Sequence, residues 1–331
     1  MGVTKSDRVF AALRGESASG GDRVPVSAWW HDFAREWSPQ GLAAATLEAY
    51  RRYDWDYIKV NPRASYYAED YGARFQSHEH RQPDLLQPGV GSAEDVRRLR
   101  PLDATQGAYG EQLEALRLIA RELRGEAPFI QTVFSPLAVI SRTAGSAKFV
   151  QRLMRENPDE LLAGLEAVTQ TLAAYARACL DAGAAGIFFA TVEWGSADNI
   201  TPGDYDRFAR PFDLRVLAAA AGAPFNVFHV CRANNHLLRL LDYPVAAFHW
   251  DARAPGNPSL AEALERTERA VMGGVSHEGA MGGNDPALVE AEARAAIAEA
   301  GGRRLLLAPG CSIDPAVPEG NLRALAGAAR R

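Results

Sequence analysis

The sequence predicts an α/β fold, and within that class a (β/α)8 barrel of the TIM type. Three observations lead there. Eight short apolar runs alternate with helical patterns along the chain. No linker or composition break divides the 331 residues into halves. No Gly-x-Gly-x-x-Gly follows the first apolar run, so an open dinucleotide-binding sheet lacks its main support. Strands that alternate with helices must run parallel, because each return needs a crossover. Eight such repeats at this length favour closure into a barrel. Residues 1–331 are therefore expected to form a single domain.

The elements follow in order. Residues 4–16 read as an amphipathic helical extension with Val9, Phe10 and Leu13 on one side, ended by Gly20-Gly21-Asp22. Val24-Pro25-Val26-Ser27-Ala28-Trp29-Trp30 is the first predicted strand, and residues 42–53 a helix. Tyr57-Ile58-Lys59-Val60-Asn61 is the second, ended by Pro62. Residues 63–98 mix glycine, proline and charge and read as a long excursion. Residues 111–125 place Leu113, Leu116, Ile119 and Leu123 on one helical face. The third strand spans 128–134, and a helix opens at Ser135-Pro136. A long helix covers 158–182, and the fourth strand 186–192. Thr201-Pro202 has the chemistry of a helix cap followed by a first-turn proline. The fifth strand covers 224–230, with a short helix at 235–241. The sixth covers 245–250, with a helix at 259–269, and the seventh covers 270–275. Asp285-Pro286 opens a helix to residue 300, the eighth strand covers 304–308, and residues 318–328 form the closing helix.

Composition bounds the function. The chain is 47% hydrophobic and 23% charged, ordinary for a globular protein. A net charge of −5 argues against a nucleic-acid partner, which calls for a basic face. No apolar run reaches the ~18 residues of a membrane span, and the N-terminal residues lack the apolar core of a signal peptide. Three cysteines suggest no disulfide framework, which fits a reducing cytoplasm. Cys179 lies in a helical pattern and reads as core.

The other two cysteines stand at strand ends. In a barrel of this type the active site gathers at the C-terminal ends of the strands. His229 and Cys231 end the fifth strand and, two residues apart, point to one side. Cys311 ends the eighth, after a Pro309-Gly310 turn that lets its loop fold inward. These three are the candidate zinc ligands. Three protein ligands leave a fourth position open, the catalytic arrangement, suited to activating a thiol or water. Asp251 and Glu193 are the candidate catalytic carboxylates. Asn61, His31, Gln131, His277 and Arg232 are candidates for holding substrate. His249 alternates with Trp250, so core filler facing the helices and support for a ligand are equally open readings. Trp29 and Trp30 either line the mouth or pack the barrel base.

Further segments carry a resemblance. The helix at 4–16 followed by Asp22-Arg23-Val24-Pro25-Val26, the run Gly183-Ala184-Ala185-Gly186-Ile187, Thr201-Pro202-Gly203-Asp204-Tyr205, Phe248-His249-Trp250-Asp251 and Pro318-Glu319-Gly320-Asn321-Leu322 resemble the uroporphyrinogen decarboxylase superfamily. That resemblance implies a (β/α)8 barrel. Its decarboxylases use no metal and carry Met-Arg-Gln-Ala-Gly-Arg-Tyr near the first strand and a Gly-His-Gly turn after the eighth. Here the first place offers only Arg35, and the second reads Gly310-Cys311-Ser312. His229-x-Cys231 with Cys311 instead resembles the zinc-dependent branch that moves a methyl group from a corrinoid to a thiol such as coenzyme M. The implied cofactors are zinc and methylcobalamin, the latter on a corrinoid-binding partner protein, and the implied substrate is a small thiol. Arg232, where the branch usually has glycine, either holds an anionic tail of that thiol or is solvated. A metal-free decarboxylase and a zinc barrel running another reaction are the alternatives. Outer helices of such barrels often pair, so a homodimer is a further expectation.

Overall fold

The computed structural model describes residues 3–16 and 23–330. The break at Gly20-Gly21-Asp22 lies outside the described residues. The strands are β1 (Ile58–Val60), β2 (Arg74–Gln76), β3 (Asp84–Gln87), β4 (Phe129–Phe134), β5 (Gly186–Ala190), β6 (Val227–His229), β7 (Ala247–His249), β8 (Ala270–Val275) and β9 (Leu305–Pro309). Seven of them form one curled parallel sheet in the order β1-β4-β5-β6-β7-β8-β9, while β2 and β3 pair antiparallel. Helices fill the crossovers, the longest being Pro158–Asp181. Ser135, Thr201 and Asp285 cap their helices as their sequence chemistry suggests, each accepting a backbone amide hydrogen bond. Among the described residues no helix is long and apolar enough to cross a membrane.

The expected eight regular strands are seven. The first predicted strand is an extended segment between the two edges of the sheet, joined to β9 by an isolated bridge at Val26 and Leu307. Ser27 N donates to Leu307 O at 3.1 Å, and Leu307 N to Pro25 O at 2.8 Å. On its other side the segment meets the approach to β1, where Asp56 N donates to Val26 O at 2.9 Å. Two causes keep it from continuing as a strand. Pro25 has no amide hydrogen. The Val26 amide is taken at 2.9 Å by the Asp56 carboxylate. Asp56 is fully buried and also pairs with Arg23 and, at 2.6 Å, with Arg8. One carboxylate thus ties the N-terminal helix Lys5–Leu13, the extended segment and the entry to β1.

Alternation along the strands separates an inner face from an outer one. Trp29, Tyr57, Ile130, Phe188, Val227, Ala247, Met272, Leu306 and Ala308 belong to an inner apolar cluster. Their neighbours Ile58, Phe129, Ile187, Phe189, Phe228, Phe248, Val271 and Leu305 pack in the larger outer core. The excursion at 63–98 holds the short helices Tyr66–Glu69 and Ala93–Arg97 and the β2–β3 hairpin.

One outer-core group makes stability depend on pH. Asp213 is fully buried and accepts hydrogen bonds from Tyr205 at 3.0 Å and Tyr243 at 3.2 Å. Burial pushes its carboxyl up to about 7, against the pull of the two hydroxyls. A carboxyl whose folded pKa is raised stabilises the fold fully below its unfolded value near 4, and that contribution is lost as pH rises through 7. Each pH unit in that window costs the folded state up to about 1.4 kcal/mol. Asp213→Asn is therefore expected to flatten the fall in melting temperature between pH 5 and 8. An unchanged slope in thermal melts would show that Asp213 does not set it.

Candidate metal centre

Strand parity brings His229 and Cys231 to the inner face at the C-terminal end of β6, and the turn after β9 brings Cys311 to meet them. Cys311 Sγ lies 3.9 Å from Cys231 Sγ and 3.7 Å from His229 Nε2. One ligand atom from each of the three residues lies within 4.8 Å of the others, and this is the one such group among the described residues. Gly310 makes the approach of Cys311 feasible: a Cβ there would stand 2.5 Å from Asp251 Cβ and 2.6 Å from Asp251 Cα. Cys231 can turn its S–H toward Cys311, and that hydrogen bond together with His229 lowers the Cys311 thiol well below its ordinary value despite burial. Two sulfurs and an imidazole nitrogen at this separation fit a tetrahedral zinc ion, each sulfur and nitrogen needing about 2.0–2.3 Å to the metal.

The imidazole of His229 is oriented from behind. His249 Nε2 lies 2.9 Å from the carbonyl oxygen of Pro309, which can only accept, so that nitrogen carries the proton. Burial, with His229 beside it, holds His249 well below its ordinary pKa, so the ring is neutral and its Nδ1 has a lone pair. Nδ1 of His249 is 2.7 Å from Nδ1 of His229. The His229 proton must then sit on Nδ1, which leaves Nε2 as a free lone pair facing Cys311. His249 is thus an inner-face residue that fixes the tautomer of His229, and it does not face the helices. Trp29 and Phe188 pack against it with ring centroids 5.2 Å away in each case, and Phe188 also stacks on His229. His249→Phe keeps the ring and loses the relay. It is expected to lower zinc affinity about 10- to 100-fold, measured by competition with a chromogenic chelator. Unchanged affinity would reject the relay.

The remaining candidates divide. Asn61 reaches the centre through Ser312, whose hydroxyl donates to Asn61 Oδ1 at 3.2 Å, and its own Nδ2 is buried without a partner. Asp251 is buried against Gly310 and accepts from His277 Nδ1 at 2.8 Å. His277 and His31 line a cleft of about 760 Å³ with Ser312, and Arg81 of the β2–β3 loop lines it too. Arg232 follows Cys231 with φ 74° and an exposed side chain.

Two candidates are placed elsewhere. Gln131 lies on the outer face of β4 and donates to Tyr175 OH of the helix Pro158–Asp181 at 2.9 Å. Its neighbours Ile130 and Thr132 have the inward parity, one residue out of step with it. Glu193 is carried away from the β5 end by a 3-10 turn, Val192–Gly195, and accepts from Ser141 at 2.6 Å. Arg35 is engaged by Asp32 at 2.7 Å and Glu48 at 2.8 Å.

Sequence reasoning missed Lys59. It shares the inner face of β1 with Asn61, to which its ammonium donates, and it is 6% exposed. Burial pulls it down to about 7 against the attraction of Cys311 and Cys231. Its ammonium lies 4.8 Å from the Phe188 ring centroid and 5.5 Å from that of Trp29. The available signal was a lone charge amid a buried apolar strand.

Comparison with known proteins gives the lineage. The family model for uroporphyrinogen decarboxylase matches residues 32–331. A uroporphyrinogen decarboxylase of Syntrophotalea carbinolica is 30% identical over 167 residues, 49% of this chain and 48% of that protein. The chain thus spans about half the length of that relative. The methylcobamide:CoM methyltransferase MtbA of Methanosarcina acetivorans is 24% identical over 99% of this chain and 98% of its own length. Among solved structures, a methyltransferase from Methanosarcina mazei superposes with a TM-score of 0.81 at 22% identity, covering 99% of this chain and 98% of that one. That likeness carries the fold.

Proposed function

We propose, for a chain that belongs to the uroporphyrinogen decarboxylase family, a zinc-dependent methyltransferase activity on a small thiol. The observation that carries this reading is the convergence of His229, Cys231 and Cys311 within 4.8 Å. A bound zinc ion would supply an open position at which a thiol binds as its nucleophilic thiolate at neutral pH. The protein's own residues do the rest. His229, Cys231 and Cys311 hold the ion. His249 keeps Nε2 of His229 free of its proton. The charge of Lys59 offsets the excess negative charge that a third thiolate would bring, since two cysteine thiolates already neutralise a divalent ion. Asn61 and Ser312 receive the polar end of the thiol, and Arg232 lies at the rim for an anionic one. Asp251 acts beside the metal, through His277. Glu193 and Gln131 drop out of this scheme because their hydrogen bonds lie elsewhere.

The methyl donor in this reading is a methylcorrinoid, presented by a corrinoid-binding protein over the cleft that His31 and His277 line. The similarity to MtbA along nearly the whole chain supports that donor. Metal-free decarboxylation of a tetrapyrrole is the weaker reading, because several carboxylates need several cations and Arg35 is already engaged by two acids. We take the eight-fold closed barrel as the catalytic scaffold, with the segment at Val26 standing in for the missing strand. The test is metal analysis of the purified protein, then methyl transfer from free methylcobalamin to a panel of thiols. The expected result is about one zinc per chain and transfer that a strong chelator abolishes. Porphyrinogen turnover in the presence of that chelator would overturn the proposal.

A further inference from the structure

Beside the metal centre stands a pair of titratable groups, Asp251 and His277, that neither binds the metal nor braces a ligand. Asp251 is 6% exposed, and both its oxygens are engaged. Oδ1 accepts from the Arg253 amide at 2.9 Å, and Oδ2 from His277 Nδ1 at 2.8 Å. The carboxylate therefore fixes the ring of His277 with Nδ1 protonated, and in the neutral ring Nε2 carries the lone pair. His277 is half-buried and borders the cleft together with Ser312, the residue after Cys311. The backbone of Asp251 packs on Gly310, the residue before Cys311. The pair is thus seated against the loop that delivers a metal ligand, with a basic nitrogen on the side from which a substrate arrives.

We infer that the Asp251–His277 pair is the proton acceptor for the incoming thiol. The step balances simply. The S–H bond of the thiol breaks, its electron pair stays on sulfur, and the proton passes to Nε2 of His277. The imidazolium so formed is held by the Asp251 carboxylate while the thiolate is bound, and it gives its proton to solvent through the cleft only after the sulfur has been methylated. Burial alone would disfavour that imidazolium, but the hydrogen bond His277 donates to Asp251 and the negative charges of Cys311, Asp251 and Glu278 outweigh it and raise the His277 pKa. Glu278 Oε1 stands 3.7 Å from Nε2 but is almost fully exposed and screened. The other charged or titratable groups that line the cleft are His31, His80, Arg81 and Asp314. This role explains why a carboxylate is buried beside a cleft histidine: Asp251 is a positioning residue and His277 is the group that meets the substrate.

The inference rests on the thiol-activating reading above, and a binding experiment separates the two. Zinc-loaded wild type, His277→Gln and Asp251→Asn would be titrated calorimetrically with 2-mercaptoethanol at pH 7.5, in buffers of differing ionisation enthalpy. The slope against buffer enthalpy counts the protons released. Wild type is expected to retain most of the thiol proton, and His277→Gln to release it, with about 10-fold weaker thiol binding. Asp251→Asn, which frees the ring to take the other tautomer, is expected to follow His277→Gln. Zinc content should be equal in all three. Equal proton release with the thiol bound would overturn the pair's role and leave the thiol reading standing. Loss of zinc from His277→Gln would make His277 a ligand or a support for one, and overturn it too. Failure of wild type to bind the thiol at all would remove both.

Discussion

Cys311→Ser is expected to abolish zinc retention and thiol methylation together. Serine keeps the size of the side chain but replaces a thiolate with a hydroxyl that stays protonated at neutral pH. The loss in zinc affinity should exceed the 10- to 100-fold that removal of a supporting partner costs. The fold should survive, because Cys311 is part-exposed in a loop and the strand before it, β9, is held by its neighbours. Metal content by emission spectroscopy and thermal melts on the same sample give both answers. Cys179→Ala serves as the control: Cys179 is fully buried in the helix Pro158–Asp181, and its removal should leave zinc content intact while lowering the melting temperature. Full zinc occupancy in Cys311→Ser would remove the basis of the functional reading.

Asp56→Ala is expected to cost about 3–5 kcal/mol of stability, the cost of breaking a buried ion pair from one side. Asp56 is fully buried, holds the Val26 amide, and pairs with two arginines from different segments. The segment from Val24 to Trp30 is held by isolated bridges at Leu307 and Ile313, by the Asp56 amide and by the Ser27 hydroxyl on Tyr57 O, so no regular ladder keeps it in place. Its loss should open the seam between β9 and β1 before the rest of the sheet melts. Chemical denaturation measures the total, and hydrogen exchange at Leu307, whose amide donates to Pro25, reports the seam. A change below about 1 kcal/mol would mean that other contacts hold the segment.

Much of the centre was legible before the structure. His229-x-Cys231 at the end of an apolar run and Cys311 after Pro309-Gly310 carry their meaning in spacing alone: period-2 alternation puts the first pair on one side, and a glycine turn permits the third to approach. The same alternation that places His229 beside the cysteines places Gln131 on the outer face. Its strand was correctly recognised, but parity on a strand buried on both faces cannot be read from hydrophobicity, because β4 is apolar inside and out. His249 was ambiguous on the same ground. Glu193 failed because a turn, which no periodicity announces, redirected its side chain after β5.

What the amino-acid sequence by itself determined is the alternation of strands and helices, the capping of the helices, and the set of thiol and imidazole groups at strand ends. These are local properties: the 3.6 and 2.0 periodicities, the chemistry of proline, glycine and hydroxyl side chains, and the identity of thiol and imidazole groups. What only the tertiary structure decided is which ends meet and how many strands are regular. The sheet has seven regular strands because a carboxylate 30 residues further on, Asp56, takes the amide of Val26. His249 serves His229 because β6 and β7 pair in the register that sets the two histidines side by side. Lys59 matters because curling of the sheet turns β1 toward Cys231 and Cys311, just beyond the ends of β6 and β9. Each is a contact between segments far apart in sequence, and its energy depends on distance and burial that no local pattern encodes.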